Sequence, residues 1–355
     1  MAWEVIGHDW AVALLREGLA KGRVTHAYLF TGPPQIGKTH LAQVLAQALN
    51  CEEPDPPCGR CSSCLKIAGG THPDVRVIVG EGAGESIKID QVRSLQREAI
   101  LLPYEGRYRV FILRLMDQAT MEAANSLLKT LEEPPAHVVL ALTAVQAEVL
   151  PPTVVSRCQR LDLRPVSLRQ VESALEDRGL ADEQARLLAR LSGGRIGWAL
   201  EAARGEGTFP QRQQGLEQLM QLLSATRVER FDFASKVSRD VDSCRALIEL
   251  WASWWRDLLL LTAPAQAAPA QAAPAQAASA QGHIVNLDRA GELEQVASHT
   301  DLSRAWAVLA ALESTVARLD ANVNVRLALE GLLLKLPHWA AVAGTGGATS
   351  PQANE

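Results

Sequence analysis

At 355 residues the chain is too long for one ordinary domain and suits two or three, with 47% hydrophobic and 21% charged residues to build sizeable cores. Its net charge of −5 argues against a protein that grips nucleic acid over a broad basic surface, so any DNA contact is local or supplied by partners. No signal peptide is read at MAWEVIGHDW, and the Gln and Pro of the Ala-rich stretch at 263–281 rule out a membrane span there, so a soluble cytoplasmic protein is expected.

Residues 4–22 read as a lead-in and then an amphipathic helix with Trp10, Leu14, Leu15 and Leu19 on one face, stopped by Gly22. Ala27-Tyr28-Leu29-Phe30 is an apolar run fit for a buried strand, and His40 to Leu49 carries apolar residues at helical spacing. Between them stand Gly32, Pro33, Pro34, Gln35, Ile36, Gly37, Lys38 and Thr39, the full G-x-x-x-x-G-K-T pattern in the strand–loop–helix context it requires. Glycines let backbone N–H groups turn onto a polyphosphate, and the helix start adds unpaired donors and partial positive charge. Lys38 is placed to reach the outer phosphates and the Thr39 hydroxyl to hold Mg²⁺.

Cys51, Cys58, Cys61 and Cys64 follow with spacing C-x6-C-x2-C-x2-C, while Cys158 and Cys244 stand alone. A cytosolic chain does not normally keep structural disulfides, so the cluster points to a metal. Four thiolates in a compact loop close a tetrahedral structural Zn²⁺ site, with an iron–sulfur cluster the lesser reading. The Pro, Gly and Ser between them predict a knuckle-like turn in place of a regular element.

Val75 to Val79 and Ile87 to Ile89 read as strands, and Asp90 as the cap of a helix over 91–101. Arg109 to Leu113 is a buried strand, Thr120 caps a helix from Met121 to Glu132, and Val138 to Leu142 is a further strand. This alternation predicts a mostly parallel α/β sheet whose core ends near Arg164. Short helices follow over 167–178, 181–191 and 196–204, then longer ones from about 210 to 337 in which Trp251, Trp254 and Trp255 read as core. The repeat at 263–281 reads as a flexible linker and residues 341–355 as a disordered tail. The expected division is 1–165, 166–208, 209–340 and 341–355.

A phosphate-loop hydrolase needs an apolar strand ending in Asp, often followed by Glu, to support the metal and activate water. After Val110-Phe111-Ile112-Leu113 those two places hold Arg114 and Leu115, and Asp117, three residues past Arg114, reaches the site only by an unusual backbone path. The binding half of the machinery is present and the hydrolytic half is missing.

The run Gly22 to Phe30 into the loop, the four-Cys insertion, Asn125-Ser126-Leu127-Leu128-Lys129-Thr130-Leu131-Glu132-Glu133-Pro134-Pro135 and Ser156-Arg157-Cys158 together resemble the clamp-loader branch of the AAA+ proteins. Within it the chain is similar to the delta-prime subunits of bacterial DNA polymerase III, over about 4–204 and more weakly at Asp320-Ala321-Asn322-Val323-Asn324. The resemblance implies an AAA+ module with a zinc-knuckle insertion, a small helical lid and an all-α collar. It also implies a hetero-oligomeric ring with gamma/tau and delta subunits that acts on a sliding clamp and primed DNA. It makes Arg157 the finger that reaches the neighbouring subunit's nucleotide, for which a forked, always-charged guanidinium is suited. Where the branch's ATPases carry a sensing arginine in the lid, this chain has Gly197, with Arg195 nearby, and Thr143 falls near a polar sensor position. ATP or ADP bound without hydrolysis is the expectation. An active motor ATPase of the gamma/tau kind is the alternative, and an unrelated phosphate-loop kinase is disfavoured by the Ser-Arg-Cys motif.

Overall fold

Along the strand Ala27–Thr31 (β1) the side chains of Tyr28 and Phe30 join one hydrophobic cluster and those of Ala27 and Leu29 another. This two-residue alternation, with every position buried, is the signature of a strand covered on both faces. The computed structural model describes residues 3–81, 86–205, 208–262, 284–321 and 323–338. Among them β1 pairs in parallel with Val138–Ala144 (β4) on one side and with Gln159–Asp162 (β5) on the other. Val75–Ile78 (β2) and Arg109–Leu113 (β3) complete a five-stranded sheet of order β2-β3-β4-β1-β5. β4 therefore separates the loop-bearing strand from the strand that carries the acid in hydrolytic relatives of this fold.

On one face Tyr28 and Phe30 pack against Ala11 and Leu15 of Asp9–Ala20 (α1) and Leu41, Leu45 and Leu49 of Lys38–Asn50 (α2). On the other, Ala27 and Leu29 meet Val92 and Leu95 of Ile89–Ala99 (α4) and Leu127 and Leu131 of Met121–Glu132 (α5). The Thr120 hydroxyl accepts from the Ala123 N–H at 3.2 Å and caps α5 as the sequence predicts.

Three local expectations are corrected. Ile87 to Ile89 forms no strand: Ile87 is buried, and α4 already begins at Ile89, its start closed by Gln91 Oε1 accepting from the Lys88 N–H at 2.9 Å. Asp90 consequently lies in the first turn, where its charge suits the helix N-terminus without capping it. The cysteine segment does contain a regular element, Ser62–Ala68 (α3), with Cys61 as its N-cap. β5 was not anticipated, because QRLD shows neither an apolar run nor clear alternation; only Leu161 is buried.

After the short helix Pro152–Val155 (α6) and β5, Leu168–Glu176 (α7), Asp182–Ser192 (α8) and Ile196–Ala203 (α9) pack together within the same compact unit as the sheet, residues 1–203. The second unit, from Arg204, is helical among the described residues: Thr208–Ser224 (α10), Arg227–Val237 (α11), Val241–Thr262 (α12), Ala290–Ala297 (α13), Leu302–Asp320 (α14) and Val325–Leu333 (α15). Trp251, Trp254 and Trp255 are fully buried in its core, the last two edge to face at 5.5 Å. The repeat at 263–281, the tail 341–355 and Asn322 lie outside the described residues. Among those described, no helix is long and apolar enough to cross a membrane.

Candidate functional site

The loop leaves the carboxyl end of β1, the strand flanked by both β4 and β5, which is where ligands sit in open parallel sheets. Its path is fixed by left-handed residues: Gly32 at φ 139, Gln35 at φ 57 and Gly37 at φ 104. Gly32 also runs against the residue that follows β5, since a Cβ there meets the Leu163 carbonyl oxygen at 2.4 Å. The Gly32 N–H donates to the Val145 carbonyl at 3.1 Å and His8 Nε2 donates to the Ile36 carbonyl at 2.9 Å, tying the loop to β4's end and to the start of α1.

Gly37 is the N-cap of α2, and Lys38 and Thr39 are its first residues. Lys38 Nζ turns back on the loop, donating to the carbonyls of Gly32 and, at 2.7 Å, Pro33. Burial lowers Lys38 to about 8, partly opposed by the negative charge of Asp117. The Thr39 hydroxyl is half-buried and has no hydrogen-bond partner among the described residues. A glycine-bounded loop at a helix start, with one buried ammonium and one uncommitted hydroxyl, fits a polyphosphate and its divalent cation.

The end of β3 differs. The exposed Arg114 occupies the place of the metal-supporting acid, its N–H donating to the Ile78 carbonyl at 2.9 Å. Leu115 follows at φ 54, and its N–H donates to Thr143 Oγ1 at 3.1 Å. Thr143, near the sensor position by sequence, is fully buried and engaged in this turn. Beyond Leu115 a 3₁₀ turn, Met116–Gln118, brings Asp117 Oδ1 to accept from the Val145 N–H at 3.1 Å.

α9 closes over the loop apex. The Gly197 N–H donates to the Gln35 carbonyl at 2.8 Å, and Gln35 Nε2 donates to Glu201 Oε2 at 2.8 Å. Any Cβ on Gly197 meets that carbonyl oxygen at 2.8 Å, so the residue at the sensing position is in backbone contact with the loop. Arg195 instead donates from Nε to the Ser192 carbonyl and lies over Trp198, 6.0 Å from the ring centroid.

Arg157 lies apart from this cradle on the α6–β5 connection. Its guanidinium donates to the Thr153 carbonyl at 2.9 Å and pairs with Glu132, the last residue of α5, at 2.7 Å. The side chain is half-buried, and both of these contacts are made by the guanidinium itself.

The sulfurs of Cys51, Cys58, Cys61 and Cys64 all lie within 4.8 Å of one another. Cys51 follows α2 directly, and Cys64 sits in the first turn of α3. The N–H groups of Cys58, Cys61 and Cys64 donate to the sulfurs of Cys51, Cys58 and Cys61 at 3.2–3.4 Å, a pattern that favours thiolates. The backbone N–H groups of Arg60 and Cys61 draw Cys58 down to about 6, while burial pushes Cys51 and Cys64 up. Two buried thiols against their intrinsic preference and a closed set of four donors fit a soft cation that displaces their protons. Burial pushes Cys158 up to about 12 and Cys244 to about 11, so both remain protonated thiols.

Sequence reading missed a polar anchor beside this cluster. Asp74, fully buried, accepts from the N–H groups of Tyr104, Glu105 and Gly106 and from Arg109. Asn50 Oδ1, at the end of α2, accepts from Arg107 and Tyr108. The segment 103–108 that leads into β3 is thereby bound to the neck of the cysteine module.

A phosphate loop on the first of five parallel strands ordered β2-β3-β4-β1-β5, closed by a short helical bundle, defines an AAA+ module. Residues 7–167 match the family described as DNA polymerase III, delta subunit. The chain is 34% identical over 221 residues to the DNA polymerase III subunit delta' of Bacillus subtilis, covering 62% of this chain and 66% of that protein. It is 37% identical over 175 residues to the subunit tau of Salmonella typhimurium, covering 49% of this chain and 27% of that protein. In both cases less than two thirds of the relative is spanned. A solved structure of a gamma subunit-related protein of Thermotoga maritima overlaps with TM-score 0.47 at 20% identity, covering 91% of this chain and 97% of that one. Over residues 7–167 the chain carries the domain of the DNA polymerase III clamp-loader family.

Proposed function

We propose that this chain is a delta-prime-like ring subunit of the clamp loader. It binds ATP or ADP at Gly32–Thr39 without hydrolysing it and presents Arg157 to the nucleotide of an adjacent gamma/tau subunit. With the delta subunit these form the ring that opens the sliding clamp and loads it onto primed DNA. The observation that carries the reading is the end of β3, where Arg114 and Leu115 stand in place of the two acids hydrolysis needs. Arg157, half-buried and braced on Thr153 and Glu132, supports the trans role: its fork is oriented before a partner arrives. The four cysteines hold a structural Zn²⁺, all positions filled by protein and none left for chemistry.

The competing reading is a motor ATPase, favoured by the complete loop and by 37% identity to a tau subunit. One pair of measurements decides. The isolated full chain is expected to bind ATP and show no turnover, and Arg157→Ala is expected to cut the ATPase of the reconstituted complex by about 10³-fold at the site it serves. Hydrolysis by the isolated chain that Lys38→Ala abolishes would establish the motor reading.

A further inference from the structure

The strand that should deliver a carboxylate to the phosphate loop delivers Arg114, yet a carboxylate arrives by another route. Leu115 takes the left-handed conformation at φ 54, sparsely populated by residues with a Cβ, and Thr143 Oγ1 fixes its N–H. The 3₁₀ turn Met116–Gln118 then carries Asp117 to the end of β4, where Oδ1 accepts from the Val145 N–H at 3.1 Å. Val145 is the residue whose carbonyl accepts from the Gly32 N–H, also at 3.1 Å. A single residue therefore links the Asp117 carboxylate to the first glycine of the loop.

Val145 is the only hydrogen-bond donor to Asp117 among the described residues, and its second oxygen has no partner there. The negative charge is felt at Lys38, where it opposes the effect of burial. A turn cap requires an acceptor and no charge, and backbone strain held beside a complete phosphate loop is the kind of placement that function maintains. Mg²⁺ keeps most of its waters and takes one or two protein oxygens alongside those of the phosphates. Thr39, at the start of α2, and Asp117, joined to Gly32 through Val145, each keep an oxygen that such an ion or its waters would take.

We propose that Asp117 is a displaced acidic positioning residue that, with Thr39, secures the divalent cation of a bound nucleoside di- or triphosphate. Nucleotide retention is then metal-dependent in a chain without the hydrolytic acids. The proposal rests on reading Gly32–Thr39 as a phosphate cradle.

The test is calorimetric titration of the full chain with ATP, in Mg²⁺ and in EDTA. Mg²⁺ is expected to tighten binding by the wild type about 10- to 100-fold. Asp117→Asn is expected to bind in Mg²⁺ as weakly as the wild type does in EDTA, with EDTA-level affinity unchanged. A variant that keeps the wild-type Mg²⁺ dependence overturns the proposal and leaves the cradle standing. So does a wild type that binds equally in both buffers. A wild type that binds no ATP overturns the cradle and the proposal together. Should Asp117→Asn melt below the assay temperature, the near-isosteric pair Asp117→Glu and Asp117→Gln decides: Glu is expected to retain metal dependence and Gln to lose it, and equal behaviour overturns the proposal.

Discussion

Asp74 is buried to 1% exposure, and its energetics follow from what surrounds it. Burial alone raises a carboxyl, but three backbone N–H groups and the Arg109 guanidinium outweigh it and hold Asp74 below its ordinary 3.8. A carboxyl whose folded value lies under its unfolded one contributes fully above about pH 4 and loses that contribution as the pH falls through the folded value. Asp74→Asn is therefore expected to lower stability at neutral pH by about 1–3 kcal/mol and to flatten the acid limb of a denaturation profile below pH 4. Gly197→Ala is a steric case. Its Cβ at 2.8 Å from the Gln35 carbonyl forces α9 off the loop, and a loss of about 1–3 kcal/mol in thermal unfolding is expected. Lys38, Thr39 and the four cysteines stand out in the sequence because residue type at fixed spacing marks them, whereas Arg157 stands out only through the family resemblance. The contact that Asp117 makes, the anchor Asp74 and the backbone role of Gly197 were not legible there, because each depends on chain crossings between segments remote in sequence. The approach of Asp117 to Val145 hangs on one left-handed leucine that nothing in the local sequence announces.

At the scale of elements, legibility tracked burial. β1, β3 and β4 are apolar runs covered on both faces, and the sequence pattern found them. β5 is an edge strand of mixed polarity held by pairing to β1, so its signal lies in its partner. Ile87 and Ile89 looked like alternation, but Ile87 plugs the core beneath α4 and Ile89 begins that helix. α3 was hidden by the Pro and Gly before it, and Cys61 serves both as its cap and as a member of the sulfur cluster. Serine keeps the cap and removes the sulfur, so Cys61→Ser isolates the metal role. Cys61→Ser is expected to drop metal content from one zinc per chain to none, with protease cleavage appearing first within 51–68. Unchanged zinc by elemental analysis would contradict the structural site.

The whole chain holds two separately cored units. In the second, Trp251 is fully buried and donates from Nε1 to the Gly215 carbonyl at 2.9 Å, joining α12 to α10. Trp251→Ala is expected to cost about 3–5 kcal/mol in that unit, read as a lowered melting temperature, while nucleotide binding by the first unit persists. Within the first unit, α2 runs from the phosphate lysine to the residue before Cys51, 13 residues in all. At 1.5 Å per residue that is a rod of about 20 Å, about twice the distance over which ordinary buffer screens an exposed charge. On the proposed reading, a metal at its far end would act on the nucleotide by leverage, bracing the rod that aims the near end. Stripping the metal should loosen nucleotide binding while leaving the salt dependence of that binding as it was.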